Sequence, residues 1–179
     1  MGTPENDAPG SFWRADVDEA AGRLAAILRD VDADVLTVYD DNGGYGHPDH
    51  IQVHRVGHRA GELAGTPRVF EVTMNRDQLL RYSEGARDQA AAAGIDVPDV
   101  SADPEFGKPE SIITASVDVS AYVEYKRLAM KAHASQIGDQ SFFLQLPDEP
   151  FHAVFGTEWF IRAGQGPGIT ETDLLHDLA

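Results

Sequence analysis

The chain has 179 residues, 14 Lys+Arg against 30 Asp+Glu, and a formal net charge of −16. That balance, with basic residues never more than two together, excludes a phosphate-tracking nucleic-acid surface and binding to an anionic membrane face. Cysteine is absent, which excludes disulfides, thiolate zinc sites and cysteine nucleophiles, so any metal has to be held by His, Asp or Glu. Apolar residues make up 42% of the chain, enough for a buried core. No apolar run approaches the roughly 20 residues of a membrane span, and the N-terminus lacks the basic-then-apolar pattern of a signal peptide. The expectation is one globular domain over residues 1–179, cytoplasmic, with no nucleic-acid partner.

In chain order, residues 1–11 are rich in Pro, Gly, Asn and Asp and read as loop. Val17, Ala20, Ala21, Leu24, Ile27 and Leu28 form one stripe, predicting a helix from about Asp16 to Asp30. Asp34 to Tyr39 is β-branched and apolar and reads as a strand covered on both faces. Asp40 to Gly46 is a dense turn signal, and Pro48 suits the first position of a helix running to about Leu63. Arg68 to Met74 predicts a second strand. Asn75 is placed to cap a helix reaching the Ala90–Ala93 run and closed by Gly94. Residues 95–110 read as loop and Ile112 to Val119 as a third strand. Ser120 is expected to cap a helix through about Gln136. The remainder mixes short helical turns with a strand near Trp159 to Arg162. Strand–helix alternation predicts an α/β fold, a Rossmann-like mostly parallel sheet with flanking helices. Only three firm strands are present and the chain opens on a loop and helix, so the opening strands are expected to be missing.

Chemistry concentrates in Asp40-Asp-Asn-Gly-Gly-Tyr-Gly-His-Pro-Asp-His50. Open α/β sheets bind ligands beyond the carboxyl ends of their strands, and this segment joins such a strand to a helix. His47 and His50 flank Pro48-Asp49, placing two imidazoles and a carboxylate in the first helical turn. A metal ligand needs such a pre-aimed ring, and a neighbouring carboxylate would orient it. His50, His54 and His58 share one helix face, and a half-buried polar stripe would produce the same spacing. Spacing alone leaves both readings open.

Val38-Tyr-Asp-Asp-Asn-Gly-Gly-Tyr-Gly-His-Pro-Asp-His-Ile51 closely resembles the second signature of the LmbE-like, or PIG-L, zinc de-N-acetylases. Lys131-Ala-His-Ala-Ser-Gln-Ile137 resembles the family's later A-H-x-[ST]-Q segment, and Gly2 to Asp7 with Ser11-Phe-Trp13 resembles its loop before the preceding helix. The family includes the bacterial deacetylase of mycothiol biosynthesis and the mycothiol-conjugate amidase. The resemblance implies hydrolysis of an N-acetyl group from an N-acetylglucosamine-type conjugate, a small-molecule amino-sugar substrate, with Zn2+ as cofactor. It implies His50 as a zinc ligand and His47 as the group that stabilises the oxyanion or protonates the leaving amine. It further implies Asp49 as the carboxylate orienting His47, Tyr45 as a substrate-binding and carbonyl-polarising group, and Gln136 near the sugar. His133, His54 and His58 receive no catalytic role.

The family's first signature, A-H-P-D-D-E, supplies a zinc-binding His, a zinc-binding Asp and the general base. Here the sequence holds a single H-P-D, at 47–49. The expectation is therefore the C-terminal portion of a deacetylase domain, inactive by itself, with Met1 an internal methionine or a fragment boundary. Two alternatives stand beside it: a mycothiol-conjugate-type amidase and a non-catalytic sugar-binding fragment. Gly164 to Gly168 reads as a turn, since it lacks the Lys-Ser/Thr of a phosphate loop. The cluster of Phe142, Phe143, Phe151, Phe155, Trp159 and Phe160 reads as cover for a sheet face or edge, with a homo-oligomer interface as the alternative.

Overall fold

The computed structural model describes residues 4–83, 106–138 and 141–178. A one-turn segment at Phe12–Arg14 leads into helix α1, Val17–Asp30. Asp16 caps α1, its carboxylate accepting from the Glu19 amide at 2.9 Å, so an otherwise orphaned donor of the first turn is satisfied. Strand β1, Val35–Tyr39, follows, then the glycine loop and helix α2, Pro48–Ala64. Pro48 occupies the first turn and Gly65 closes the helix in the left-handed conformation, the asymmetry expected of Pro and Gly at helix ends. Strand β2 is Arg68–Thr73 and helix α3 covers residues 76–83. Strand β3, Ala115–Asp118, precedes helix α4, Val123–Ala132, and helix α5, Asp148–Phe155, precedes strand β4, Thr157–Arg162.

The four strands form one sheet in the order β1-β2-β4-β3. β1 and β2 are parallel, whereas β4 runs antiparallel to both β2 and β3. The α/β class is as expected. Among the described residues, however, the sheet is mixed rather than mostly parallel. β4 returns from α5 and inserts between β2 and β3, giving both an antiparallel neighbour.

α2 lies directly on β1 and β2 because Gly57 and Gly61 carry no side chain. A Cβ on Gly57 would sit 2.3 Å from Val38 Cγ1, and one on Gly61 would sit 2.9 Å from Val69 Cγ2. α1 packs on α2 through a small-residue core of Ala21, Ala25, Leu28, Val56 and Ala60. On the sheet's other face Phe70 meets Phe160 edge-on, over buried Ala115. The aromatic cluster of the C-terminal region thus divides. Phe160 enters the sheet core, while Phe143, Phe155 and Phe151 pack together beside α5.

Three local expectations shift. Ser120 does not cap α4: it opens a short 3-10 turn at Ser120–Tyr122, and its amide donates to Asp118. α4 ends at Ala132, four residues short of Gln136. The third strand starts at Ala115, after a 3-10 turn at Glu110–Ile112. Asn75 does cap α3, accepting from the Gln78 amide at 3.0 Å; the expected closure at Gly94 lies outside the described residues. No described helix is long and apolar enough to cross a membrane.

Candidate functional site

The site begins at Asp40, directly after β1 and fully buried. One carboxylate oxygen accepts from the amides of Asn42 at 3.1 Å and Gly44 at 2.8 Å, and the other accepts from the Thr73 hydroxyl at 2.6 Å. An acidic side chain in this position replaces the missing strand partner for the loop amides and ties the loop to the end of β2. The loop then turns through left-handed residues Gly43 and Gly44, with φ of 63° and 76°, a region costly for any residue with a Cβ. Space also requires glycine at 43, since a Cβ there would meet His50 Cβ at 2.6 Å and the Ile51 amide nitrogen at 2.8 Å. Gly44 is held from the far side by the Gly107 amide, and Asp41 is held by an ion pair with Lys108.

The close approach of Gly43 places its carbonyl 3.2 Å from His50 Nδ1. A carbonyl only accepts, so Nδ1 carries the ring hydrogen and Nε2 keeps its lone pair. That is the arrangement of a metal-ligating imidazole, oriented by a backbone carbonyl behind it. The ring is further confined by Tyr39, stacked at 4.0 Å between centroids and 3° from parallel, and by Tyr45, edge-on at 5.0 Å.

His47 caps α2, and its Nδ1 accepts from the Asp49 amide at 3.2 Å. An amide N–H only donates, so the hydrogen of a neutral His47 resides on Nε2, ready to donate. The His47 and His50 rings are 4.9 Å apart. Asp49 thus engages His47 through its backbone. Its carboxylate oxygen Oδ1 is buried without a hydrogen-bond partner, a costly condition for a charged group. Burial raises the Tyr45 phenol above its ordinary pKa, and the nearby Tyr39 adds to the rise. The structure therefore brings together Tyr45, His47, Asp49 and His50. Gln136 is not part of that cluster; it stands exposed in the turn after α4, with its amide donating to the His133 carbonyl.

Two features escaped the sequence reading. Asp40 is the buried anchor of the loop, and its signal was an acidic residue at a strand's carboxyl end before Asn-Gly-Gly. The second is on α2, where His58 Nε2 lies 2.9 Å and His54 Nδ1 3.8 Å from Glu71 Oε1 of β2. His54 also donates through Nδ1 to the Tyr39 carbonyl at 3.1 Å.

A glycine loop at the carboxyl end of β1 that pre-aims one imidazole lone pair and one imidazole donor makes a metal-compatible site on a mixed α/β sheet. Comparison with known proteins makes the assignment specific. The chain is 40% identical over 157 residues to a 1D-myo-inositol 2-acetamido-2-deoxy-alpha-D-glucopyranoside deacetylase 1 of Catenulispora acidiphila, covering 80% of this chain and 49% of the relative. It is 41% identical to the deacetylase of the same name from Thermobifida fusca, covering 97% of this chain and 65% of the relative. It is 38% identical to a deacetylase 2 of that name from Frankia alni, covering 100% and 68%. The chain belongs to the family of these deacetylases, the LmbE-like/PIG-L family. It spans between about half and about two thirds of the length of these relatives. No family model matches it.

Proposed function

We propose that this chain carries the oxyanion-and-acid side of a zinc-dependent de-N-acetylase acting on a small N-acetylglucosamine-type conjugate, of the kind named in its relatives. A cytoplasmic setting goes with such a small-molecule substrate. The observation that carries the reading is His50, whose Nδ1 is committed to the Gly43 carbonyl so that Nε2 is free for a metal. His50 fits as one zinc ligand. When bound, zinc would supply Lewis-acid polarisation and a water of lowered pKa.

The remaining steps belong to the chain's own side chains. His47 offers an Nε2–H donor towards an oxyanion that forms beside His50. Asp49, whose Oδ1 is buried without a hydrogen-bond partner, is the carboxylate assigned to orient that ring when it carries a second proton. The charged ring can then pass its Nε2 proton to the departing amine. Tyr45 keeps its hydroxyl hydrogen to higher pH than a free tyrosine, so it remains a donor for the substrate carbonyl. Gln136 is assigned to the sugar by motif alone.

The test is acetate release from the glucosaminyl-inositol substrate by the protein expressed from its complete reading frame and supplied with zinc, residues 1–179 alone being expected to release little or none. His47→Ala is expected to lower kcat by about 10²–10⁴-fold, the usual worth of a positioned proton donor. A variant with unchanged kcat would overturn the assignment. Sugar binding without any turnover would favour the non-catalytic alternative.

A further inference from the structure

We infer that His54, His58 and Glu71 form a metal site of their own, a zinc clamp between α2 and β2 distinct from His50. One ligand atom from each of the three lies within 4.8 Å of the others. His54 and His58 are one turn apart on α2, so the helix sets their spacing, and their rings are 4.4 Å apart. Glu71 comes from the adjacent strand, on the sheet face that α2 covers. The short separation of 2.9 Å from His58 Nε2 to Glu71 Oε1 approaches the spacing in tetrahedral zinc, and His54, whose Nδ1 donates to the Tyr39 carbonyl, would ligate through Nε2. Bonds of about 2.0–2.2 Å place ligand atoms roughly 3.3 Å apart.

Three further observations favour a cation over a plain hydrogen-bonded trio. The two imidazoles and the carboxylate are the donor set that zinc takes in a three-ligand site with one open position. The Tyr39 carbonyl steadies His54, as a backbone carbonyl steadies a ligating ring. The side chains are 21%, 28% and 16% exposed, which shields the site while leaving an entry path. The dication would exceed the single negative charge of Glu71, and a chain at −16 accepts that surplus readily.

This inference stands apart from the deacetylase reading, and its test does not use acetate release. Metal-free protein is titrated with Zn2+ by calorimetry and with Co2+ by visible absorption, which reports ligand geometry. The wild-type chain is expected to take up one equivalent that His50→Ala retains. His58→Ala and Glu71→Gln are each expected to weaken that equivalent by at least about 100-fold, beyond what losing an outer-shell contact brings. Zinc at a hundredfold excess over Kd should raise Tm by about 5–10 °C in the wild type and not in Glu71→Gln. Circular dichroism establishes that each variant is folded, and Glu71→Gln, nearly isosteric, serves if His58→Ala is not. The inference is overturned if the wild type binds no such equivalent. It is equally overturned if the folded variants keep it, or if His50→Ala abolishes it.

Discussion

α2 carries histidines at both ends of its first three turns, and the two groups are held in different ways. His47 and His50, at its N-terminus, are aimed by backbone: an amide for one ring and a glycine-loop carbonyl for the other. Each keeps an Nε2 position uncommitted to those bonds, which is what a reacting site requires. His54 and His58 are held instead by a strand carboxylate and a strand carbonyl, which joins helix to sheet. One pair is thus set by the helix end and its loop, and the other by the neighbouring strands, where the inferred metal clamp lies. The difference lies in the glycine loop, which brings main-chain groups close enough to leave side chains free.

The sharpest way to break this contrast is to remove the loop's anchor. Asp40→Ala leaves the Thr73 hydroxyl and the Gly44 amide without their acceptor, and should lower stability by about 3–4 kcal/mol, several unmet buried donors together. Chemical denaturation measures this, and a loss under about 1 kcal/mol would place the support of the loop elsewhere.

Gly43→Ala comes next. A left-handed φ and contacts of 2.6–2.8 Å with α2 should cost about 2–3 kcal/mol and displace His50. Gly46→Ala, also left-handed but with nothing within 4 Å of its Cβ, should cost only about 1 kcal/mol. Equal effects for the two would show that conformation alone, rather than the close approach to His50, demands glycine at 43.

The smallest effect concerns Tyr45. Its pKa is raised on folding, chiefly by burial, so its contribution to stability is complete below the ordinary tyrosine value near 10. That contribution is lost as pH rises from there through the folded value. Tyr45→Phe should remove this part of the alkaline decline in stability while leaving the neutral range little changed. Phenolate absorbance, followed against pH in wild type and variant, should show one late-titrating tyrosine fewer in the variant.

Much of the fold was legible because its signals are local. The stripe from Val17 to Leu28, Asp16 before it, Pro48 at the start of α2 and the β-branched run from Arg68 each depend only on near neighbours. The position of β4 was not legible. Its insertion between β2 and β3 rests on pairings such as Phe70 with Arg162 and Ala115 with Phe160, which no periodicity encodes. At the site, the G-H-P-D-H run named the cluster, but the partner of each ring was hidden. Spacing placed His54 and His58 on one helix face, whereas Glu71 reaches them only because β2 lies beneath that helix. Asp49 was legible as a carboxylate beside His47, while its unpaired, buried Oδ1 was not.

By itself, the sequence determined the class of the domain, the absence of thiolate chemistry and the segment where histidines and glycines gather, since composition and short spacings specify these. Only the tertiary structure decided which nitrogen of each histidine is free. Hydrogen-bond donors and acceptors from residues distant in sequence, or from a loop folded back on its own helix, make that choice. The fold sets those distances through the packing of α2 on the sheet across Gly57 and Gly61.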